Sequence, residues 1–229
     1  MEFNITLVIV ILTVLVSIRS FGNKRTEDDL IFYPPAIRRG QYYRFFSHGF
    51  IHGDIPHLVF NMYALFSFGG LLEDTFKLDC LFGERGKLFF LILYLTGIIV
   101  ASLPDYFRYK DSFHFRSLGA SGAISAVIFS MVVLFPKMGM GLIFLPNVEV
   151  PAYIFAVLYL GITVYLDRRG GSRINHSAHF WGAAYGIVFT LVFSSLFSVG
   201  FDAYDNFIEQ MKSTDNSLTL ICSPDFYDR

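Results

Sequence analysis

The sequence predicts an all-α polytopic membrane protein, a bundle of six transmembrane helices with one long, structured first loop. Three observations carry this. The 229 residues are 54% hydrophobic and only 16% charged, with a mean hydropathy of +0.51, beyond the range of an ordinary soluble domain. Six apolar segments approach the roughly 20 residues that cross a bilayer as a helix. Three of the six open with polar side chains, which are expensive inside a membrane and therefore become candidates for function.

The segments are residues 3–18, 57–72, 87–103, 118–135, 150–166 and 177–199, each bounded by charge, Pro or Gly. The first, in MEFNITLVIVILTVLVSIR, has Glu2 where a signal peptide carries positive charge, and no small-x-small cleavage site follows it. It is expected to be a retained span. The connection from Arg19 to Pro56 is far longer than a usual helix–helix link and holds Phe32, Tyr33, Tyr42, Tyr43, Phe45, Phe46 and Phe50. Such a loop must be structured, and its RRGQYYRFFSHGF portion has the basic and aromatic character of a segment lying in the interface plane. Several later spans are short, which implies help from neighbouring helices or a locally thin bilayer.

Residues 1–200 thus form the bundle, and residues 201–229 a short amphipathic segment with a polar tail. In FDAYDNFIEQMK, helical spacing puts Tyr204, Phe207, Ile208 and Met211 on one face, as for a surface helix. The Ser-, Thr-, Asp- and Asn-bearing remainder is expected to be mobile. No internal repeat is found, which lowers the weight of inverted-repeat transporter folds. A formal net charge of −1 without a long basic block gives no reason to expect a nucleic-acid partner. Cys80 and Cys222 stand far apart, outside any redox or zinc spacing, and read as incidental.

His57 and Asn61 are four residues apart and project from one face of the second span. Ser121 lies in SLGASGAISA among Gly119, Ala120, Gly122 and Ala123. Taken alone, those small residues describe a packing seam. A second small-residue face lies in the sixth span, where Gly182-x-x-x-Gly186 accompanies Ala178, Ala183 and Ala184, and His179 sits about a turn before Gly182 on the same face. If the seams meet, His179 comes within hydrogen-bond reach of Ser121, the nucleophile-and-base geometry of covalent catalysis. Ala123 occupies the last position of the soluble hydrolase pattern G-x-S-x-G, which disfavours that fold. The glycines, Gly119 among them, instead suit a loop-to-helix turn with free backbone N–H groups able to hold an oxyanion.

These motifs resemble the rhomboid intramembrane serine proteases. The likeness runs from Tyr42 to Gly186 through YYRFFSHGFIH, HLVFNMYALFSFGGLLE, GASGA and AHFWGAAYG, in the family's order. It implies a rhomboid-like six-helix bundle that cleaves peptide bonds in or near transmembrane helices of membrane-protein substrates, without a cofactor or metal. It implies Ser121 as nucleophile and His179 as general base, with His57, Asn61 and the Ser121 N–H around the oxyanion. Arg44 and Glu73 are implied to be structural, tying down the first loop. Two positions depart from the family. Tyr43 replaces a loop tryptophan, and Ser125 stands where an aromatic often stacks on the histidine, so Trp181, Tyr185 or a hydrogen bond to Ser125 becomes the candidate for orienting His179.

The resemblance also implies a cell (plasma or inner) membrane, with the first, third and fifth loops outside. Those loops hold twelve of the 18 Lys and Arg residues, whereas the positive-inside rule favours the opposite orientation. Within enzymes, the rival reading is a metal site drawn from His48, His52, Asp54, His57, His176 and His179, although His48 and His52 read better as loop-packing residues. Outside enzymes, the rivals are a client-binding relative without catalysis and a small transporter using the intramembrane polar residues as an ion path.

Overall fold

The computed structural model describes residues 4–142, 145–171, 174–213 and 220. Five helices start where a short polar side chain accepts a first-turn N–H, from Asn4, Asn23, Asp54, Asn175 and Asp202. α1 spans Ile5–Ser20. After it come three short helices, α2 (Lys24–Leu30), α3 (Pro34–Arg38) and α4 (Arg44–Ser47), the last continued by a 3₁₀ turn at His48–Phe50. α5 (Ile55–Ala64) passes through a wide π turn at Leu65–Gly69 into α6 (Gly70–Phe76).

α7 (Gly86–Tyr109) and α8 (Ser121–Leu134) precede a two-stranded antiparallel hairpin, β1 (Gly139–Leu142) with β2 (Leu145–Pro151), that pairs Gly139 with Pro151. α9 (Ala152–Arg169), α10 (His176–Phe197) and α11 (Ala203–Lys212) follow. The helices Ile55–Phe76, Gly83–Tyr109 and His176–Phe197 are long and apolar enough to cross a membrane, and α1 and α8 are apolar but shorter. The expectation for the polar tail lies outside the described residues, apart from Ser213 and Leu220.

α8 is the hub. Every residue of it except Ser121 and Ile128 is buried, as expected of a helix that is apolar all round. α10 packs along it most extensively, and the two small-residue faces do meet. A Cβ at Gly182 would collide with the carbonyl oxygen of Gly122, and one at Gly186 with that of Ala126. Only hydrogen at those positions lets the two backbones come so close.

Because α8 is short, its last carbonyls end inside the protein. Asn206 Nδ2 and Gln210 Nε2 of α11 both donate to the Leu134 carbonyl, at 3.0 and 2.8 Å. α11 buries Ala203, Asn206 and Gln210, with Tyr204 exposed and Phe207, Ile208 and Met211 half-buried. The demand of an orphaned carbonyl sets its most buried face.

Glu73 also differs from its expected role. Its buried carboxylate accepts from the N–H groups of Ile5 and Thr6 and from the Thr6 hydroxyl, at 2.8–2.9 Å, capping the amino end of α1 rather than the first loop. Arg44 does tie that loop. It donates to the carbonyls of Asp28 and Ile31 and to Gln41 Oε1. Cys80, in the turn before α7, is disulfide-bonded rather than incidental. Cys222, the chain's other cysteine, lies outside the described residues.

Candidate active site

Ser121 is the first residue of α8, and the turn that delivers it is pinned to the first loop. Phe32 and Ser117 exchange both backbone hydrogen bonds, at 3.0 and 3.1 Å. The Gly119 N–H donates to the His48 carbonyl at 2.9 Å, and the Ala120 N–H to His52 Nε2 at 3.4 Å. Gly119 adopts φ +115°, and a Cβ there would stand 2.8 Å from the His57 ring. Glycine is therefore needed twice over, for the backbone conformation and for the approach of the imidazole.

His179 lies in the first turn of α10. Asn175 caps that helix through the Ala178 N–H, while its own Nδ2 donates to Asp105 Oδ2 at 2.7 Å and to Ser117 Oγ at 3.0 Å. One amide thus joins α7, the turn before Ser121 and the start of α10. His179 Nε2 stands 2.7 Å from Ser121 Oγ. Both side chains are half-buried, within reach of a reactant yet out of bulk water.

No side chain caps the amino end of α8. Its first N–H groups have no partner in their own helix, so they face the site as donors with the positive end of the helix dipole behind them. His57 is set against Gly119, two residues from Ser121. Asn61, one turn further along α5, donates to the His57 carbonyl at 2.8 Å, which leaves one amide hydrogen for other work.

The aromatic ring lying alongside His179 was not among those expected. Trp181 is 44% exposed and packs on Phe180, and the Tyr185 hydroxyl bonds Thr96 Oγ1 on α7. Ser125 bonds not His179 but the hydroxyl of Tyr159 on α9, at 2.8 Å. The Tyr159 ring lies nearly parallel to the imidazole, with centroids 6.3 Å apart and planes at 19°. α9 carries three tyrosines, Tyr153, Tyr159 and Tyr165, and nothing in the sequence singles out the middle one.

His48 and His52 serve packing. His48 meets Phe32 edge-on at 5.2 Å, and His52 Nδ1 pairs with the Ser17 hydroxyl at 3.0 Å. Burial pushes the His48 imidazole down to about 4, and burial together with neighbouring His57 pushes His52 to about 3, so both are neutral near pH 7. Among the described residues, no three His, Cys, Asp or Glu side chains are grouped to hold a metal ion. Arg38 pairs with Asp111, Arg116 with Asp28 and Arg108 with Asp167. Much of the positive charge on this end of the molecule is therefore compensated locally.

Comparison with known proteins identifies the family. The Rhomboid domain model matches residues 39–196. RHOMBOID-like protein 12, mitochondrial, of Arabidopsis thaliana is 27% identical over 186 residues, which is 75% of this chain and 52% of that protein. Presenilin-associated rhomboid-like protein A, mitochondrial, of Danio rerio is 29% identical over 139 residues, 60% of this chain and 34% of its own length. Rhomboid protease GlpG of Haemophilus influenzae is 26% identical over 199 residues, 84% of this chain and 92% of that protein. The chain thus spans about half of the plant relative and a third of the fish one, but nearly all of the bacterial one. A family model that reaches from the first-loop arginines almost to the end of α10 takes in both seams and every residue of the site, and on that ground the chain belongs to the rhomboid family.

Proposed function

We propose that the chain is an intramembrane serine endopeptidase that cuts peptide bonds in or near the transmembrane helices of membrane-protein substrates. The observation that carries this is the 2.7 Å approach of His179 Nε2 to Ser121 Oγ at the uncapped start of a buried helix. As Ser121 Oγ attacks the scissile carbonyl carbon, His179 Nε2 accepts its proton. Charge develops on the carbonyl oxygen, where N–H groups of the α8 start and the side chains of His57 and Asn61 can stabilise it. When the C–N bond breaks, the imidazolium returns the proton to the leaving amine and an acyl-enzyme remains. Water, deprotonated by the same imidazole, then releases the second product. A substrate helix must unwind to present its carbonyl, which favours segments with small or helix-breaking residues.

In this reading α1, the α5–α6 helix, α7, α8, α9 and α10 are six spans within a domain of residues 1–200, and residues 201–229 are an appendage. The chain sits in the cell membrane with its amino terminus in the cytoplasm, so the first loop and the mouth of the site face outward. The Cys80 disulfide then lies on the reducing side, against the usual compartment. Two of the relatives are named as mitochondrial. Reporter fusions after Lys77 and after Lys110, with membrane fractionation, test side and membrane together.

The enzymatic test uses purified protein, a model transmembrane substrate and a serine-directed fluorophosphonate. Wild-type protein is expected to cleave the substrate and to be labelled on Ser121. Ser121→Ala and His179→Ala should lose turnover, and His57→Ala should be slower by about a hundredfold. Cleavage that persists in Ser121→Ala sinks the mechanism. Binding of membrane clients without labelling would support a non-catalytic relative instead.

A further inference from the structure

We infer that Tyr159 is the positioning residue for His179, and that it makes the catalytic geometry depend on the seat of α9; the inference rests on the proteolytic reading above. His179 has a single side-chain hydrogen bond among the described residues, the one to Ser121. A histidine held by one hydrogen bond can still turn about its side-chain torsions, and sub-ångström placement of the base is what the chemistry needs. Among the described residues, the only ring alongside its face is that of Tyr159, nearly parallel at 6.3 Å, while His176 meets it edge-on at 6.1 Å from the same helix.

Tyr159 is itself fixed at both ends. Its hydroxyl bonds Ser125 Oγ at 2.8 Å, and its ring packs against Phe129 at 5.4 Å and Phe155 at 5.5 Å. Ser125 lies one turn after Ser121 on α8, so the contacts close a ring that runs from Ser121 to Ser125, across to Tyr159, on to His179 and back to Ser121. Three helices contribute to it, and α9 is the least anchored of them. Only Ala152 and Thr163 of its 18 residues are buried. Its carboxyl end runs into Gly170 and Gly171, both at positive φ.

The consequence is mechanical. Displacement of α9 would take Tyr159 from Ser125 and remove the ring beside the imidazole, so the base is held only with α9 seated.

The test compares Tyr159→Phe, Tyr159→Leu, Ser125→Ala and the double variant Ser125→Ala/Tyr159→Phe, each by substrate cleavage, fluorophosphonate labelling rate and thermal unfolding. Tyr159→Leu should lower kcat by roughly ten- to a hundredfold with KM little changed, and slow labelling in parallel, because labelling needs the same base but no substrate helix. Tyr159→Phe keeps the ring and should retain most of the activity, within about fivefold of wild type. Ser125→Ala should match it, and the double variant should be no slower than either single one, since both remove one hydrogen bond. A Tyr159→Leu enzyme with wild-type kcat and labelling rate, or one whose loss follows its thermal instability and is not rescued by Phe, overturns the inference. Multiplying losses in the double variant overturn the Ser125 link. If wild-type protein is neither labelled nor active, the proteolytic reading falls and takes this one with it.

Discussion

At the scale of single residues, the site depends on atoms that are absent as much as on those present. Gly119, Gly182 and Gly186 each lie where a methyl group would strike a ring or a carbonyl oxygen. Replacing Gly182 by Ala must push α10 away from α8, because the obstacle is the Gly122 backbone and not a movable side chain. Overpacking of this kind costs about 1–3 kcal/mol. The separation of His179 and Ser121 should widen with it. Gly182→Ala is therefore expected to lower the thermal unfolding midpoint and to slow fluorophosphonate labelling; a variant unchanged in both would mean that the seam is slack. Gly182 and Gly186 are legible in the sequence as a G-x-x-x-G pair. Gly119 is legible only as a glycine near a serine, since its positive φ and its closeness to His57 appear when the first loop folds over the turn.

At the scale of elements, helix ends set the architecture. Glu73 closes the amino end of α1, and Asn206 with Gln210 closes the carboxyl end of α8. α8 can be only 14 residues long because α11 meets its last turn with hydrogen-bond donors. Substituting both Asn206 and Gln210 by Leu leaves the Leu134 carbonyl buried without a partner, a penalty of about 1–3 kcal/mol. The double variant should unfold at lower temperature with its labelling rate in the folded state retained, because α11 acts at the end of α8 remote from Ser121. An unaltered unfolding temperature would show that another group, or water, satisfies that carbonyl. The burial of Asn206 and Gln210, with Tyr204 exposed and Phe207, Ile208 and Met211 half-buried, follows from the same demand.

At the scale of the whole molecule, the first loop and the bundle behave as one body. The backbone pairing of Phe32 with Ser117 and the contacts of His48 and His52 with the turn before Ser121 join residues far apart in sequence. This coupling has a pH signature. His48 and His52 titrate at about 4 and about 3 when folded, against about 6.5 in the unfolded chain. Below 6.5 the unfolded state binds more protons than the folded one, so the stability they lend is whole above that pH and drains away as pH falls toward 4. Asp54 opposes the shift at His52 while burial and His57 drive it. Thermal unfolding of purified protein should therefore be flat from about pH 8 to 7 and decline between 6.5 and 4. His48→Gln/His52→Gln should flatten that decline, and a wild-type midpoint constant down to pH 4.5 would contradict the assignment.

The sequence by itself determined the membrane character, the two small-residue faces, and Ser121 and His179 as the pair they would bring together. Those features are local: composition, helical spacing and the cost of a polar group in an apolar run are all written within a few turns. Only the tertiary structure decided what Glu73 caps, which face of α11 turns inward, that Cys80 is bonded, and that the Tyr159 ring lies beside His179. Each of these is a contact between elements far apart in the chain. A side chain's partner across a bundle depends on how helices are rotated and staggered, which no local pattern encodes. Ser125 shows the difference. Its sequence neighbours place it one turn from Ser121, but only the packing of α9 against α8 reveals that its hydroxyl meets that of Tyr159, whose ring lies beside His179.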